Sequence, residues 1–471
     1  MTAADSRISP VSPDPAGRAA AVQRRTVRVL IGSQILGGIG SSTGFSLSTL
    51  LAKEITGNAG LAGLTGTFSA LGAACASVPL SRVMAARGRR PGLVLGYGAA
   101  IAGTLVIVLA ARLRSYPLLL AGMALFGCAS AVNLQARYAG TDLAPAERRG
   151  RALSMVIWAV TVGSILGPNL GHPAEGTARA LGLPPLAGAF LWSGFALCGA
   201  GLVLGLLLRP DPLLVAREIR GEDAAAPKRL TLKESFAVIG ESPRAVPAIA
   251  VVAVSHTVMV SVMSMTPVHM NSDGMSVTVI GLVLSVHITG MYAFSPLVGA
   301  AVDRIGRIPV LATGLGVLTA ACLVVGSAPM GSRAYMIVGL LLLGIGWSCG
   351  VVAGSTLLVE STPDRVRPSV QGASDFVMQG SSAGGAALAG LVVGTLGYSW
   401  LAGLAVALLA PVAVLVAVTA VRRPGVPAVV SAAGSVVPAA VPAAVPAAVP
   451  AAAPDNIPGL SVQEDVAPQV P

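Results

Sequence analysis

Apolar residues in this chain gather in blocks separated by short polar or charged segments. The blocks lie near residues 29–51, 61–83, 92–111, 117–139, 152–170 and 186–208, and again near 245–270, 279–302, 308–328, 335–359, 370–396 and 401–421. At 1.5 Å of rise per residue, roughly 20 apolar residues in helix match a ~30 Å hydrocarbon core, so each block predicts one spanning helix. The expected fold is an all-α integral membrane protein, with twelve transmembrane helices in two pseudo-symmetric six-helix bundles, residues 29–208 and 245–421. Residues 209–244, the one long charged stretch within the membrane region, are expected to form a loop between the bundles. Residues 1–28 and 422–471 are expected to be disordered. In the second of these, Pro438, Pro442, Pro446, Pro450 and Pro454 recur every four residues, a spacing helix cannot survive.

Composition supports a bilayer environment. The 471 residues are 54% hydrophobic and 11% charged, with a mean hydropathy of +0.79, too apolar for an ordinary soluble chain. A net charge of +11 would suggest nucleic acid in a soluble protein. Here, with the N-terminus inside, 26 of the 31 Lys and Arg fall on one side of the membrane, and only Lys53, Arg112, Arg114, Arg179 and Arg333 fall on the other. That asymmetry is the positive-inside pattern and predicts a multi-pass protein of the cytoplasmic membrane with both termini in the cytoplasm. The lipid bilayer and a small-molecule or metal-ion substrate are the expected partners, without nucleic acid, and a monomer is expected. The first apolar block is span-length and lacks an A-x-A site, so no cleaved signal peptide is expected. The five cysteines all lie within predicted spans without a C-x-x-C pair and read as buried thiols. No G-x-x-x-x-G-K phosphate loop and no nucleophile-and-base pair is found, so neither an enzyme nor a bound cofactor is expected.

The two halves repeat at a constant offset. Gly88 and Arg89 correspond to Gly306 and Arg307, Asp142 to Glu360, Pro145 to Pro363, Arg149 to Arg367 and Gly167 to Gly385, each pair 218 positions apart. Six plus six spans around a charged central segment resemble the major facilitator superfamily across roughly residues 29–421. The resemblance implies secondary transport of a small solute by alternating access between the two bundles.

Short motifs carry the resemblance further. "GAAVDRIGR" matches the family's G-x-x-x-D-R-x-G-R loop through Gly299, Asp303, Arg304, Gly306 and Arg307. There the resemblance implies a conformational latch: glycines permit a tight turn, and Asp and Arg make charge contacts between helix ends. The first-half loop "SRVMAARGRR" keeps Gly88, Arg89 and Arg90 but has Ser81 and Ala85 in place of the Gly and Asp. Asp375 is the only acid well inside a predicted span, and intramembrane acids are costly and functional or paired. It reads either as the carboxylate that Arg82, Arg87 or Arg89 needs across the bundles or as a proton-coupling group, and Arg137, at an inner helix end, stands with it as a candidate for such pairing or coupling. "GSILGPNLG", with Gly163, Gly167, Pro168 and Gly171, is similar to the fifth-span motif of drug:proton antiporters, and close helix packing explains it equally well.

The stretch "HTVMVSVMSMTPVHM" raises a metal question. Met259 and Met263 are one turn apart on span seven, and His287 and Met291 repeat that spacing on span eight. About a loop centred near residue 274.5, Met259 lies level with Met291, and Met263 with His287. Thioether and imidazole suit Cu(I), while methionine is also an adaptable core filler. The M-x-x-x-M and H-x-x-x-M pairs resemble those of the CcoA-like copper importers, which implies that Met259, Met263, His287 and Met291 pass copper inward as substrate. Proton-coupled efflux of a drug or metabolite is the alternative, and a non-transporting membrane sensor the minor one.

Overall fold

The computed structural model describes residues 15–57, 61, 64–167, 171–221 and 230–421. Twelve helices in it are long and apolar enough to cross a bilayer. Spans one to six are Gly17–Thr56, Leu64–Arg87, Arg89–Leu113, Tyr116–Ala139, Ala146–Leu166 and Ala187–Ile219. Spans seven to twelve are Ala245–Ser272, Val279–Ile305, Arg307–Gly326, Arg333–Glu360, Arg367–Thr395 and Tyr398–Val421. Among the described residues there is no strand.

The hairpins between spans two and three and between spans eight and nine turn at Gly88 (φ 91°, ψ 174°) and Gly306 (φ 95°, ψ 168°). This backbone region is almost closed to residues with a Cβ, so each glycine is required where it stands and each ends one helix directly before the next begins. Arg89 and Arg307, the residues that follow, are thereby delivered to the same end of the molecule, which we call the basic end.

Each half has its own apolar core. The second-half core reaches across the boundary to take in Leu153 and Ile157 of span five. The halves pack mainly through two crossings, span two on span eleven and span five on span eight, with smaller contacts of span four on span eleven and span five on span ten. Both crossings depend on small residues. At one, a Cβ added to Gly299 would overlap Ser154; at the other, a Cβ added to Gly372 would overlap Ser81.

Two expectations differ from what is seen. Helix begins at Pro15 rather than after residue 28, because Ala and Arg, good helix formers, make up eight of the thirteen residues 16–28 and Arg18 is tied to Glu218 at 2.6 and 3.0 Å. The central segment is not all loop, since helices occupy Pro212–Ile219 and Leu232–Glu241. The first is capped by the Asp211 side chain, and the second by a capping box of Thr231 and Glu234. The Pro-rich segment 422–471 lies outside the described residues.

Candidate functional site

At the basic end, Asp303 closes span eight onto span five. Its carboxylate accepts hydrogen bonds from the backbone N–H groups of Gly150 (2.9 Å) and Arg151 (3.0 Å), so a side chain of one half caps the helix N-terminus of the other. Those amides have no partner within their own helix, and the helix dipole favours a negative charge there. Beside this cap, Arg307 pairs with Glu360 at 2.5 Å and donates to the Ala146 carbonyl of the first half at 2.8 Å. Arg304 of the same motif is exposed.

The first-half loop performs part of this task with different atoms. Arg89, fully buried, makes a two-pronged pair with Asp142 at 2.8 and 2.9 Å and donates to Gln371 of span eleven at 2.8 Å. The backbone N–H of Arg90 donates to Asp211 at 2.7 Å. Applying the 218-residue offset, Arg89–Asp142 is the counterpart of Arg307–Glu360. The close crossings also correspond, with their residues exchanged: Ser81 stands where Gly299 stands in the other half, and Gly372 where Ser154 stands.

The cap itself has no counterpart. Asp303 corresponds to Ala85, and Gly150, whose N–H it binds, corresponds to Pro368, which has no N–H. In its place the span-two and span-eleven side has an interior polar lock. Asp375 accepts from Arg137 at 2.7 Å and from Gln135 at 2.8 Å, and the paired side chains are 0–1% exposed. The positions equivalent to Asp375 and Arg137 are Ile157 and Ser355, so this ion pair is where the repeat loses its symmetry. Arg137 Nε and Nη1 are buried without a hydrogen-bond partner, and its guanidinium lies 4.7 Å from the centre of the Tyr138 ring.

Of the basic candidates for Asp375, the structure therefore supplies Arg137 and not Arg82, Arg87 or Arg89. Arg82 and Arg87 are exposed at the helix end, with Arg82 directed to the Leu230 carbonyl, and Arg89 is already satisfied by Asp142 and Gln371. Asp375 lies two turns farther into its span, at a depth only the span-four arginine reaches.

The fifth-span glycine motif is a packing seam. A Cβ on Gly163 or Gly167 would run into span one, whose Ser42 and Thr43 hydroxyls donate at 3.0 Å to the Gly163 and Gly167 carbonyls. Pro168 lies outside the described residues, and Gly171 opens a short helix, Gly171–Ala180.

The four soft donors of spans seven and eight fall in and against the second-half core. Met259 and Met291 are buried in it, and Met263 is partly exposed. His287 is fully buried, and its Nδ1 bonds the Leu340 carbonyl of span ten at 2.8 Å. A carbonyl can only accept, so Nδ1 carries the proton and Nε2 keeps its lone pair, buried and without a partner. Span eight packs on span ten, where Gly344 lies against the backbone at His287 and Met291. Among the described residues no three His, Cys, Asp or Glu side chains gather as a metal site.

A second polar group lies at mid-span and carries no motif in the sequence. Trp347 Nε1–H donates to His256 Nδ1 at 2.9 Å, which leaves the proton of that ring on Nε2 to donate to Gln379 Oε1 at 2.8 Å. The Tyr292 ring stands edge-on to Trp347 at 5.6 Å. The available signal was a His, a Trp and a Gln near the middle of three separate apolar runs, the His being the first residue of the methionine-rich stretch.

The comparisons agree with this architecture. The Major Facilitator Superfamily model matches residues 29–276 and 248–453. The chain is 35% identical over 415 residues to the uncharacterized MFS-type transporter YddS of Bacillus subtilis, covering 85% of this chain and 93% of that protein. It is 28% identical over 393 residues to the riboflavin transporter RfnT of Brucella anthropi, covering 81% and 93%. Among solved structures, the human organic anion transporter MFSD10 aligns with a TM-score of 0.65 at 16% identity, over 84% of this chain and 99% of that one. A bacterial homologue of the iron transporter ferroportin in an outward-facing state gives 0.63 at 15%, over 84% and 100%. At such identities the structural likeness speaks to fold alone. With twelve spans in two repeated halves and a sequence match over most of its length, the chain belongs to the major facilitator superfamily of secondary transporters.

Proposed function

We propose that this transporter carries a small organic solute across the cytoplasmic membrane, coupled to proton movement through Asp375, with the basic end facing the cytoplasm. The observation that carries the reading is the fully buried Arg137–Asp375 pair between the halves. Rocking the halves apart at the basic end separates this pair, and a lone buried charge costs about 3–5 kcal/mol. Protonation of Asp375 removes one of the two charges and lowers that cost, which ties opening to a proton. An organic cargo is supported by the relative named as a riboflavin transporter. A second reading, copper uptake along Met259, Met263, His287 and Met291, is favoured by the unpartnered Nε2 of His287. An imidazole whose other nitrogen donates to a backbone carbonyl is set up as a metal ligand.

The test is transport by the purified protein in liposomes, with riboflavin and Cu(I) offered separately under an imposed proton gradient. Riboflavin movement driven by the gradient, reduced to gradient-independent exchange in Asp375→Asn, is expected. Movement of Cu(I) without riboflavin would replace the first reading with the second.

A further inference from the structure

We infer that His256, Tyr292, Trp347 and Gln379 form the second-half share of a binding site for an uncharged, planar heteroaromatic cargo bearing carbonyl-type acceptors. This rests on the organic-solute reading above and names the class of solute.

The four residues come from spans seven, eight, ten and eleven, yet each lies eleven to thirteen residues from the basic end of its helix. At 1.5 Å per residue they share one level, ~17–20 Å from that end and near mid-membrane. Four helices therefore present one aromatic and polar layer in an otherwise apolar bundle.

The layer faces the first half. On span seven the partly exposed positions His256, Val260, Met263 and Pro267 form one stripe. It is flanked on one side by Ser255, against Gly350 of span ten, and on the other by Thr257, bonded to Ser381 of span eleven at 2.9 Å. On span eleven Gln379 lies one turn from Asp375, which is paired with Arg137 of the first half. The basic end is closed by the Asp303 cap and the Arg137–Asp375 pair, and the stripe of partly exposed positions runs from His256 toward the opposite end.

The chemistry of the layer selects the cargo. Trp347 and Tyr292 stand at 81° to one another and His256 is tilted 42° to Trp347, so the three rings do not stack on themselves. A flat ring added among them can meet one face and one edge, the arrangements aromatic groups prefer. The hydrogen-bond chain Trp347 to His256 to Gln379 runs one way and uses the Gln379 carbonyl, which leaves the Gln379 amide N–H groups free. Arg137 adds two buried donors without partners, Nε and Nη1. Against these donors stands one unused acceptor of the same lock, Gln135 Oε1, so the complementary ligand is rich in acceptors. Arg137 and Asp375 already neutralise one another, so a charged ring would enter without a counter-ion, and a neutral one is favoured.

The test is equilibrium binding to the purified full-length protein, with lumichrome as the neutral planar probe and dihydrouracil as a carbonyl-bearing ring without aromaticity. Lumichrome is expected to bind and dihydrouracil not. Trp347→Leu should weaken lumichrome binding about tenfold, Trp347→Phe about threefold, and Gln379→Leu about tenfold, each in protein that elutes as a monodisperse peak. If Trp347→Leu does not fold, Trp347→Phe and Gln379→Leu decide. Equal binding of the two probes, no lumichrome binding by the wild type, or unchanged binding in the folded variants overturns the site. Lumichrome binding lost in the variants, in a protein that moves no organic solute in liposomes, would leave the site standing and remove the carrier reading instead.

Discussion

Replacing Asp303 by Ala removes the carboxylate that joins the two halves at the basic end, and the structure gives the size of the effect. Two hydrogen bonds to helix N-terminal amides are lost, Gly150 at 2.9 Å and Arg151 at 3.0 Å. An N-cap carboxylate contributes about 0.5–2 kcal/mol, and charge on the helix dipole adds about 0.3–1 kcal/mol. Arg151 is exposed to solvent, so the lower part of the summed range applies, about 1–1.5 kcal/mol. That shifts the ratio of open to closed basic ends by roughly five- to thirteenfold. Spin labels at the exposed positions Glu147 and Arg365, one in each half, would report the ratio by pulsed dipolar spectroscopy, with the exposed Cys75 and Cys198 changed to Ala. The counterpart position gives the control. Ala85→Asp should not add a matching cap, because Pro368 offers no N–H and only Ser369, the counterpart of Arg151, is left to donate, so the new buried carboxylate has one of its two donors at most. Ala85→Asp closing the basic end as firmly as Asp303 does, or an unchanged distance distribution in Asp303→Ala, would refute the trans-cap argument.

Four further outcomes follow from the same geometry. Gly299→Val should overfill the crossing at Ser154 and favour the open basic end by about 1–3 kcal/mol, read by the same spin-label distances. Arg137→Met or Asp375→Asn alone should destabilise the closed state more than the two together, since each alone strands its partner in an apolar interior; a double-mutant cycle on thermal unfolding measures this. Met259→Leu and Met291→Leu should cost under ~1.5 kcal/mol of stability and leave riboflavin transport intact, whereas loss of copper accumulation at normal protein abundance would favour the copper reading. Reporter fusions at Lys228 and Pro450, both outside the described residues, should give cytoplasmic signals, and an external signal at either site would invert the orientation.

Much of the molecule was legible in the linear order of residues. Block length and apolarity gave twelve spans, and the 218-residue offset paired Arg89 and Asp142 with Arg307 and Glu360, which the structure joins in two equivalent bridges. Gly88 and Gly306 marked their turns because that backbone conformation excludes a Cβ. These features are local: whether a segment enters a bilayer depends on its own transfer free energy, and whether a turn forms depends on its own residues.

Tertiary structure decided what lies beside what. It gave Asp375 to Arg137 rather than to the nearer-seeming loop arginines, placed His287 against a span-ten carbonyl, and joined His256 to Trp347 and Gln379. It also showed that Ser81 with Gly372 and Ser154 with Gly299 are one contact made twice with its partners exchanged. None of this is written in hydrophobic pattern, because lipid tails and neighbouring helices are equally apolar to a spanning segment. Which helix faces which is settled by the fit of small residues and by polar groups finding each other across the bundle, and those partners are far apart in the chain.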